Sequence, residues 1–439
     1  MDRRTFMAAA GVAATVSSVP ALGAGGAPAK FPKGFLWGAA TAAHQVEGNN
    51  VNSDCWVAEH IENSGFEEPS ADAANSFELW PVDLDLVRGM GLNSYRFSLE
   101  WARIEPEPGM FSIAMLNHYK AMIEGCRARH IVPVVTFNHF TTPRWFALRG
   151  GWMNDDSPDL FARFCDRAAR HLSAHIGYAL TLNEPNLSGV LHLVFPPGVG
   201  ERLYASDKAM SEAIAKKFNV PLFLLGNGLW LPDAERVRRN MLQAHKLGRQ
   251  AIKAVRGDLP VGASLAIIDD QAAGPDSKRD AMREQLYGEW LRAVRHDDFV
   301  GVQNYERTVW DAQGKVPAPA GVVRNMAGSE VYPPSLEGAV RYAHAVAGVP
   351  VMVTEHGVNS VDDRVRAQLI PPALAALKKA MDDGVPVLGY LHWSLVDNFE
   401  WNSGYKAKFG LHSVDRTTFQ RTAKPSALVL GSIARKNGL

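Results

Sequence analysis

Eight short runs rich in β-branched and aromatic residues recur along the chain, separated by stretches whose apolar residues return every three or four positions. The runs are FLWGAAT (35–41), NSYRFSL (93–99), VPVVTFN (132–138), YALTLN (178–183), PVGASLA (260–266), DFVGVQNY (298–305), VPVMVTE (349–355) and VPVLGYLHWS (385–394). Helical patterns between them include MLNHYKAMIEGCRARH (115–130), LFARFCDRAARHLSAHI (160–176), REQLYGEWLRAVR (283–295) and LAALKKAMDDG (374–384). Parallel strands need a long crossover, and a helix usually fills it. Eight such units in 439 residues predict an α/β fold, a single closed (β/α)8 TIM barrel with long βα loops over its C-terminal face. An open doubly wound sheet is the alternative, but its GxGxxG or GxxxxGK[ST] turn is missing. Two longer segments, 187–235 and 306–334, break the rhythm, and in a barrel they become βα loops above the face where such enzymes place their chemistry.

Composition narrows the partners. The chain is 46% hydrophobic and 21% charged, enough for a full core and too apolar for a disordered chain. Lys+Arg and Asp+Glu both total 46, and no long run of one sign supplies a nucleic-acid footprint. A neutral small molecule suits the chain better. The three cysteines, Cys55, Cys126 and Cys165, form no CxxC pair and read as structural thiols. At the N-terminus, Arg3-Arg4 precedes Phe6, a weakly apolar Ala/Val stretch and a run of small residues, which resembles a twin-arginine export signal. Residues 1–29 are therefore expected to be signal and linker, and 30–439 an exported, periplasmic domain. No later run reaches the roughly 20 apolar residues of a membrane span.

Two of the strands end alike. ALTLNEPN (179–186) and VMVTEHGVN (351–359) each run from apolar residues through a Thr to a carboxylate, followed by Pro in one and by His-Gly in the other. In a barrel, Glu184 and Glu355 then face one pocket across its mouth. A carboxyl pair in a cleft can cleave a glycosidic bond, one protonating the leaving oxygen while the other attacks or stabilises the anomeric carbon. Asn183 sits where it can bond the hydroxyl beside the reacting carbon, and Gly357 is expected to permit an unusual backbone near Glu355. Other strands end in His44-Gln45 and Glu47, Asn138-His139 and Tyr305, with Arg96 inside the second. The eighth runs into HWSLVDNFEWNSGYKAKFGLHSVD (392–415), where Trp393, Trp401 and Phe409 mix with Asn398 and Glu400. Rings beside paired acceptors suit the two faces of a sugar.

The chain resembles glycoside hydrolase family 1, the β-glucosidase family of retaining enzymes. The likeness covers nearly all of 31–415 and rests on FPKGFLWGAATAAHQVEG, SYRFSLEWARIEPEPG, TLNEPN, VTEHGVN and WSLVDNFEWNSGY, in that order. It implies a retaining β-glycosidase that hydrolyses terminal β-D-glycosides through a covalent glycosyl-enzyme. By the same likeness Glu184 is the acid/base and Glu355 the nucleophile, with Arg96 and Tyr305 orienting Glu355. Gln45, His139, Asn183, Glu400 and Trp401 would bond the sugar, and Trp393 would form its floor. Several positions depart from the family pattern: His356 for the usual Asn, Phe140 for Trp, Gln303-Asn304-Tyr305 for Asn-Tyr-Tyr, and Ser329 for Trp.

A catalytically silent carbohydrate-binding protein of this fold is one rival, but such chains typically lose one of the two glutamates. A 6-phospho-β-glycosidase is another, and Glu400 would repel its phosphate. A metal site built from His44, His139 and His392 lacks any HxH or HExxH spacing, so neither metal nor cofactor is expected. His356 reads as a structural histidine, with a second proton relay as the alternative. The apolar stretch PLFLLGNGLWL (221–231) is expected to overhang the leaving-group side, with Phe223 and Trp230 shaping it; a satellite core is the other reading.

Overall fold

The computed structural model describes residues 30–195 and 198–439. The export signal read over 1–29 lies outside them. Eight parallel strands close into a barrel: β1 (Leu36–Ala40), β2 (Ser94–Ser98), β3 (Val132–Asn138), β4 (Tyr178–Asn183), β5 (Val261–Ala266), β6 (Val300–Asn304), β7 (Val351–His356) and β8 (Val387–Trp393). Each pairs with its neighbours in sequence, and β1 closes the ring against β8 in a register running from Leu36–Gly389 to Ala40–Trp393. All eight sequence runs are therefore barrel strands. They read as near-continuous apolar segments because both faces are covered, the inner by the barrel core and the outer by helices.

Leu36, Val134, Leu180, Phe299, Met352 and Leu391 fill the barrel floor. Space there is short. A Cβ on Gly301 would lie 2.7 Å from Ser264 Oγ and 2.9 Å from Thr354 Oγ1, so only glycine lets β5, β6 and β7 close at that level. Above the floor, two ladders slip out of register, between Leu180 and Asn183 on β4 and between Val353 and Glu355 on β7. Such irregularities re-aim the side chains that follow them.

The helical layer differs from the sequence reading in three places. The segment expected at 374–384 belongs to a helix spanning Asp363–Asp382, which runs through Pro371 and Pro372. Burial of Leu369, Ile370, Ala373, Leu374 and Leu377 against the barrel outweighs the proline penalty. The helix expected at 283–295 is interrupted by a π turn at Glu284–Gly288 between Arg279–Arg283 and Glu289–Ala293. Nor are the long segments plain loops: the first carries helix α1 (Leu187–Val194) and helix α2 (Val199–Phe218), and the second holds strands Arg307–Trp310 and Lys315–Val316, which join Asp269–Ala272 in a small sheet.

In the stretch 221–231, Leu224, Leu225, Leu229 and Leu231 line a small cavity with Glu184, Leu187 and Leu191, but Phe223 and Trp230 do not. Phe223 is fully buried in a satellite core with Cys55, Phe66, Met210, Ile214 and Phe399. Trp230 is tied through its backbone N–H to Asp207 at 2.7 Å. The run packs α2 onto the barrel because its leucines and Phe223 alternate with a turn at Gly226, where a Cβ would strike the Phe140 carbonyl at 2.1 Å. The cysteines Cys55, Cys126 and Cys165 are buried free thiols, and no helix among the described residues is long and apolar enough to cross a membrane. Phe223→Ala is expected to cost about 3–5 kcal/mol, read as a lowered urea midpoint with an unchanged m-value.

Candidate active site

Glu184 follows the last residue of β4 and holds a left-handed backbone, with φ of 42°. Its N–H donates to the Ser264 carbonyl at 2.8 Å, which fixes the turn. Glu355 lies near the end of β7, in register with Gln303. Both carboxyls open into one cavity of about 330 Å³ above the barrel floor, together with Gln45, His139, Asn183, Tyr305, Trp393, Glu400 and Trp401. Arg96 lies beneath, fully buried on β2. The structure thus gathers all ten residues singled out in the sequence.

The two carboxyls are held differently. Arg96 donates to Glu355 Oε1 at 2.5 Å and Tyr305 donates its hydroxyl to Oε2 at 2.6 Å. Burial raises the Glu355 pKa, while the Arg96 charge and these hydrogen bonds oppose the rise. Glu184 is driven further, well above the ordinary carboxyl range, by burial first and then by the negative charge of Glu355; Arg96 acts on it only at range. The proton of the pair therefore rests on Glu184. Glu400 is pushed up to about 8 by burial and the charge of Glu355. Arg96 is the cation that acts on both Glu355 and Glu184.

The remaining groups form a polar floor with unused valences. Arg96 and Gln303 donate to Asn183 Oδ1 at 2.5 and 2.8 Å, which turns the Asn183 amide nitrogen toward the cavity side, 3.4 Å from His139 Nε2. Gln45 donates to the Phe399 carbonyl at 2.9 Å and to Glu400 Oε2 at 3.1 Å. Gln45 Oε1, Gln303 Oε1 and His139 Nδ1 are buried without a protein partner. Buried polar atoms normally find partners, so the residues around this cavity carry unfilled hydrogen-bonding capacity. Burial and Arg96 hold the His139 pKa far down, so its ring is neutral. His139 lies parallel to Trp393 and Trp401, at ring distances of 5.7 and 6.3 Å, and His44 lies parallel to Trp401 at 5.7 Å.

Some sequence expectations change. Gly357 does not adopt the left-handed region; it is needed because a Cβ would sit 2.2 Å from the Trp393 carbonyl. His44, His139 and His392 do not converge. His44 pairs with Glu59 at 2.7 Å, near Cys55, and the other Glu59 oxygen accepts from the Ser70 N–H and hydroxyl, so the group satisfies itself. Tyr390 OH lies 2.9 Å from both His392 Nδ1 and His356 Nδ1. Burial lowers the His356 pKa to about 3 and keeps that ring neutral, away from the cavity lining. Phe223 and Trp230 do not line the cavity; α1 does, through Leu187, Val190 and Leu191. Gln303 was noted only as a departure from pattern, although its spacing of two from Tyr305 puts both on one strand face.

A barrel whose strand ends carry two carboxyls of unequal proton affinity, over a polar floor with parallel rings, has the equipment of a glycoside hydrolase. The chain matches the profile of Glycosyl hydrolase family 1 over residues 27–221 and 324–439, and it belongs to that family. Beta-glucosidase A of Thermotoga maritima is 28% identical, with 93% of this chain and 99% of that one covered. A beta-glucosidase of Agrobacterium sp. is 30% identical over 92% and 95%. Among solved structures, the beta-glycosidase BGL167 is 45% identical with a TM-score of 0.85, covering 93% of this chain and 98% of its own. A beta-glucosidase designated 1317 is 39% identical with a TM-score of 0.87, covering 92% and 98%. The protein is a retaining β-glycosidase.

The Tyr305 hydroxyl favours the ionised form of Glu355 over the protonated one. Tyr305→Phe is therefore expected to raise the Glu355 pKa and move the acid limb of kcat/KM up by about one pH unit, because a hydrogen bond to a charged group contributes roughly 1.5 kcal/mol or more. An unchanged acid limb in a pH–rate profile would dissociate that limb from Glu355.

Proposed function

We propose that the enzyme hydrolyses terminal β-D-glucosides, with Glu355 as nucleophile and Glu184 as acid/base, after export to the periplasm. The observation that carries the assignment is the unequal grip on the two carboxyls: Glu355 holds the Arg96 cation and the Tyr305 hydroxyl, whereas burial and its neighbour's charge keep Glu184 protonated. In the first step Glu355 attacks the anomeric carbon while Glu184 gives its proton to the leaving oxygen. Esterification of Glu355 removes its negative charge, so the pKa of Glu184 falls and it can take a proton from the attacking water. Gln45, His139, Asn183, Glu400 and Trp401 bond the sugar hydroxyls over the Trp393 ring.

A phosphorylated sugar fits less well. No Lys or Arg is among the described residues lining the cavity, and Glu400 projects into it. Beta-glucosidase names among the relatives favour a glucoside.

The two glutamates are expected to separate in kinetics. Glu355→Gly abolishes turnover of every substrate. Glu184→Ala loses about 10²–10⁴-fold on glycosides that need leaving-group protonation and far less on activated aryl glycosides. Azide then restores the Glu184→Ala enzyme and yields a β-glycosyl azide detectable by proton NMR. Equal losses across leaving groups in both variants would reverse the assignment.

Export rests on residues 1–29, with 30–439 as the mature domain. Replacing Arg3 and Arg4 by Lys is expected to leave folded, active enzyme in the cytoplasm. Undiminished periplasmic activity after that change would make the arginine pair incidental.

A further inference from the structure

The cavity has two chemistries. Toward Glu355 and Glu400 it is polar; toward Glu184 it is walled by α1. That helix begins three residues after Glu184, so its wall stands on the side from which the leaving oxygen is protonated. Leu187 and Leu191, four apart on one helix face, are half-buried and line the cavity with Phe195. The uncharged polar residues Asn325, Ser329 and Asn359 also line the cavity. Val323, Met326 and Val361, within two residues in sequence of lining positions, are exposed apolar side chains, at 57%, 49% and 72%. No Lys or Arg is among the described lining residues, so the cavity offers no cationic partner to an anionic leaving group.

We propose that the leaving-group side takes a neutral, extended apolar aglycone, such as an alkyl or lipid-like alcohol, in preference to a second sugar, with Leu187 and Leu191 setting that preference. The inference rests on the assignment of Glu184 as acid/base, which fixes which side the aglycone leaves from. A second sugar would present hydroxyls to Leu187 and Leu191 that neither can bond, whereas an alkyl chain covers both leucines and continues onto the apolar rim. The half-exposed leucines gain most from being covered.

The test compares octyl β-D-glucoside, methyl β-D-glucoside and cellobiose on the full enzyme. Wild type is expected to favour octyl over both of the others by at least about tenfold in kcat/KM. Leu187→Asn and Leu191→Asn should each lower the octyl-to-methyl ratio roughly fivefold to tenfold, the scale of covering part of one leucine. Leu191→Met should restore most of the ratio. A wild-type preference for cellobiose, or an octyl-to-methyl ratio near one, overturns the proposal while leaving the catalytic assignment intact. Failure to hydrolyse any of the three would overturn the glucosidase reading and this inference with it. The wild-type comparison decides the question even if a variant fails to fold.

Discussion

One buried guanidinium organises the barrel mouth. Arg96, without solvent contact, donates to Thr136 on β3, to Asn183 on β4 and to Glu355 on β7. Those three bonds tie β2 to both neighbouring and opposite strands at the level where chemistry occurs. A cation so deeply buried survives only with its valences filled, and the Glu355 carboxylate above it supplies the opposite charge. The charge is placed asymmetrically, in contact with Glu355 and at a distance from Glu184. That asymmetry separates the proton affinities of two chemically identical side chains. Truncating Arg96 would leave Glu355 both unpaired and protonated, so fold stability and the ionisation required for attack depend on the same group.

Local strain serves that placement. Glu184, Phe140 and Trp401 all hold left-handed backbones without being glycine, and all three line the cavity. Each such residue costs about 1–3 kcal/mol and persists only where surrounding structure over-determines it. The over-determination is visible: Glu184 follows a register irregularity on β4 and bonds through its N–H to Ser264, while Trp401 is stacked between His44 and His139. Glu355 follows the matching irregularity on β7. The similar endings of β4 and β7 thus solve a single problem, turning a carboxyl from a strand ladder into a shared cavity.

The strands were legible because a parallel sheet buried on both faces leaves a continuous apolar signature, and every one of the eight runs became a barrel strand. The strand-end carboxyls and rings were legible for a related reason: the topology sends every strand end to one face. Features outside the strands were less so. Pro371 and Pro372 sit inside a helix whose apolar face, buried against the barrel, outweighs them. The run PLFLLGNGLWL divides: Leu224, Leu229 and Leu231 line a small cavity with Glu184, whereas Phe223 packs with Phe66 and Phe399, and an apolar run does not reveal which of its residues goes where. Gly357 drew attention for the wrong reason, since the need for a small residue came from the Trp393 carbonyl, a contact between β7 and β8 that no local pattern encodes. Gln303 could have been found from its spacing of two from Tyr305, had alternation been applied past the strand end.

The site therefore divides by rigidity. Groups around the sugar stand on strand ends locked by the ladder and by Arg96, where small displacements are resisted by every neighbouring strand. The apolar wall stands on α1, an eight-residue helix with open space beside Gly189, where an added Cβ would meet nothing within 4 Å. Electrostatic catalysis needs fixed dipoles, because reorganising them during reaction raises the barrier. Hydrophobic recognition has no such requirement, being non-directional and proportional to the area covered. Placing the charges on the barrel strands and the apolar surface on a helix outside their ladder lets the second change without disturbing the first. Divergence in leaving-group preference is then compatible with an unaltered pair of carboxyls.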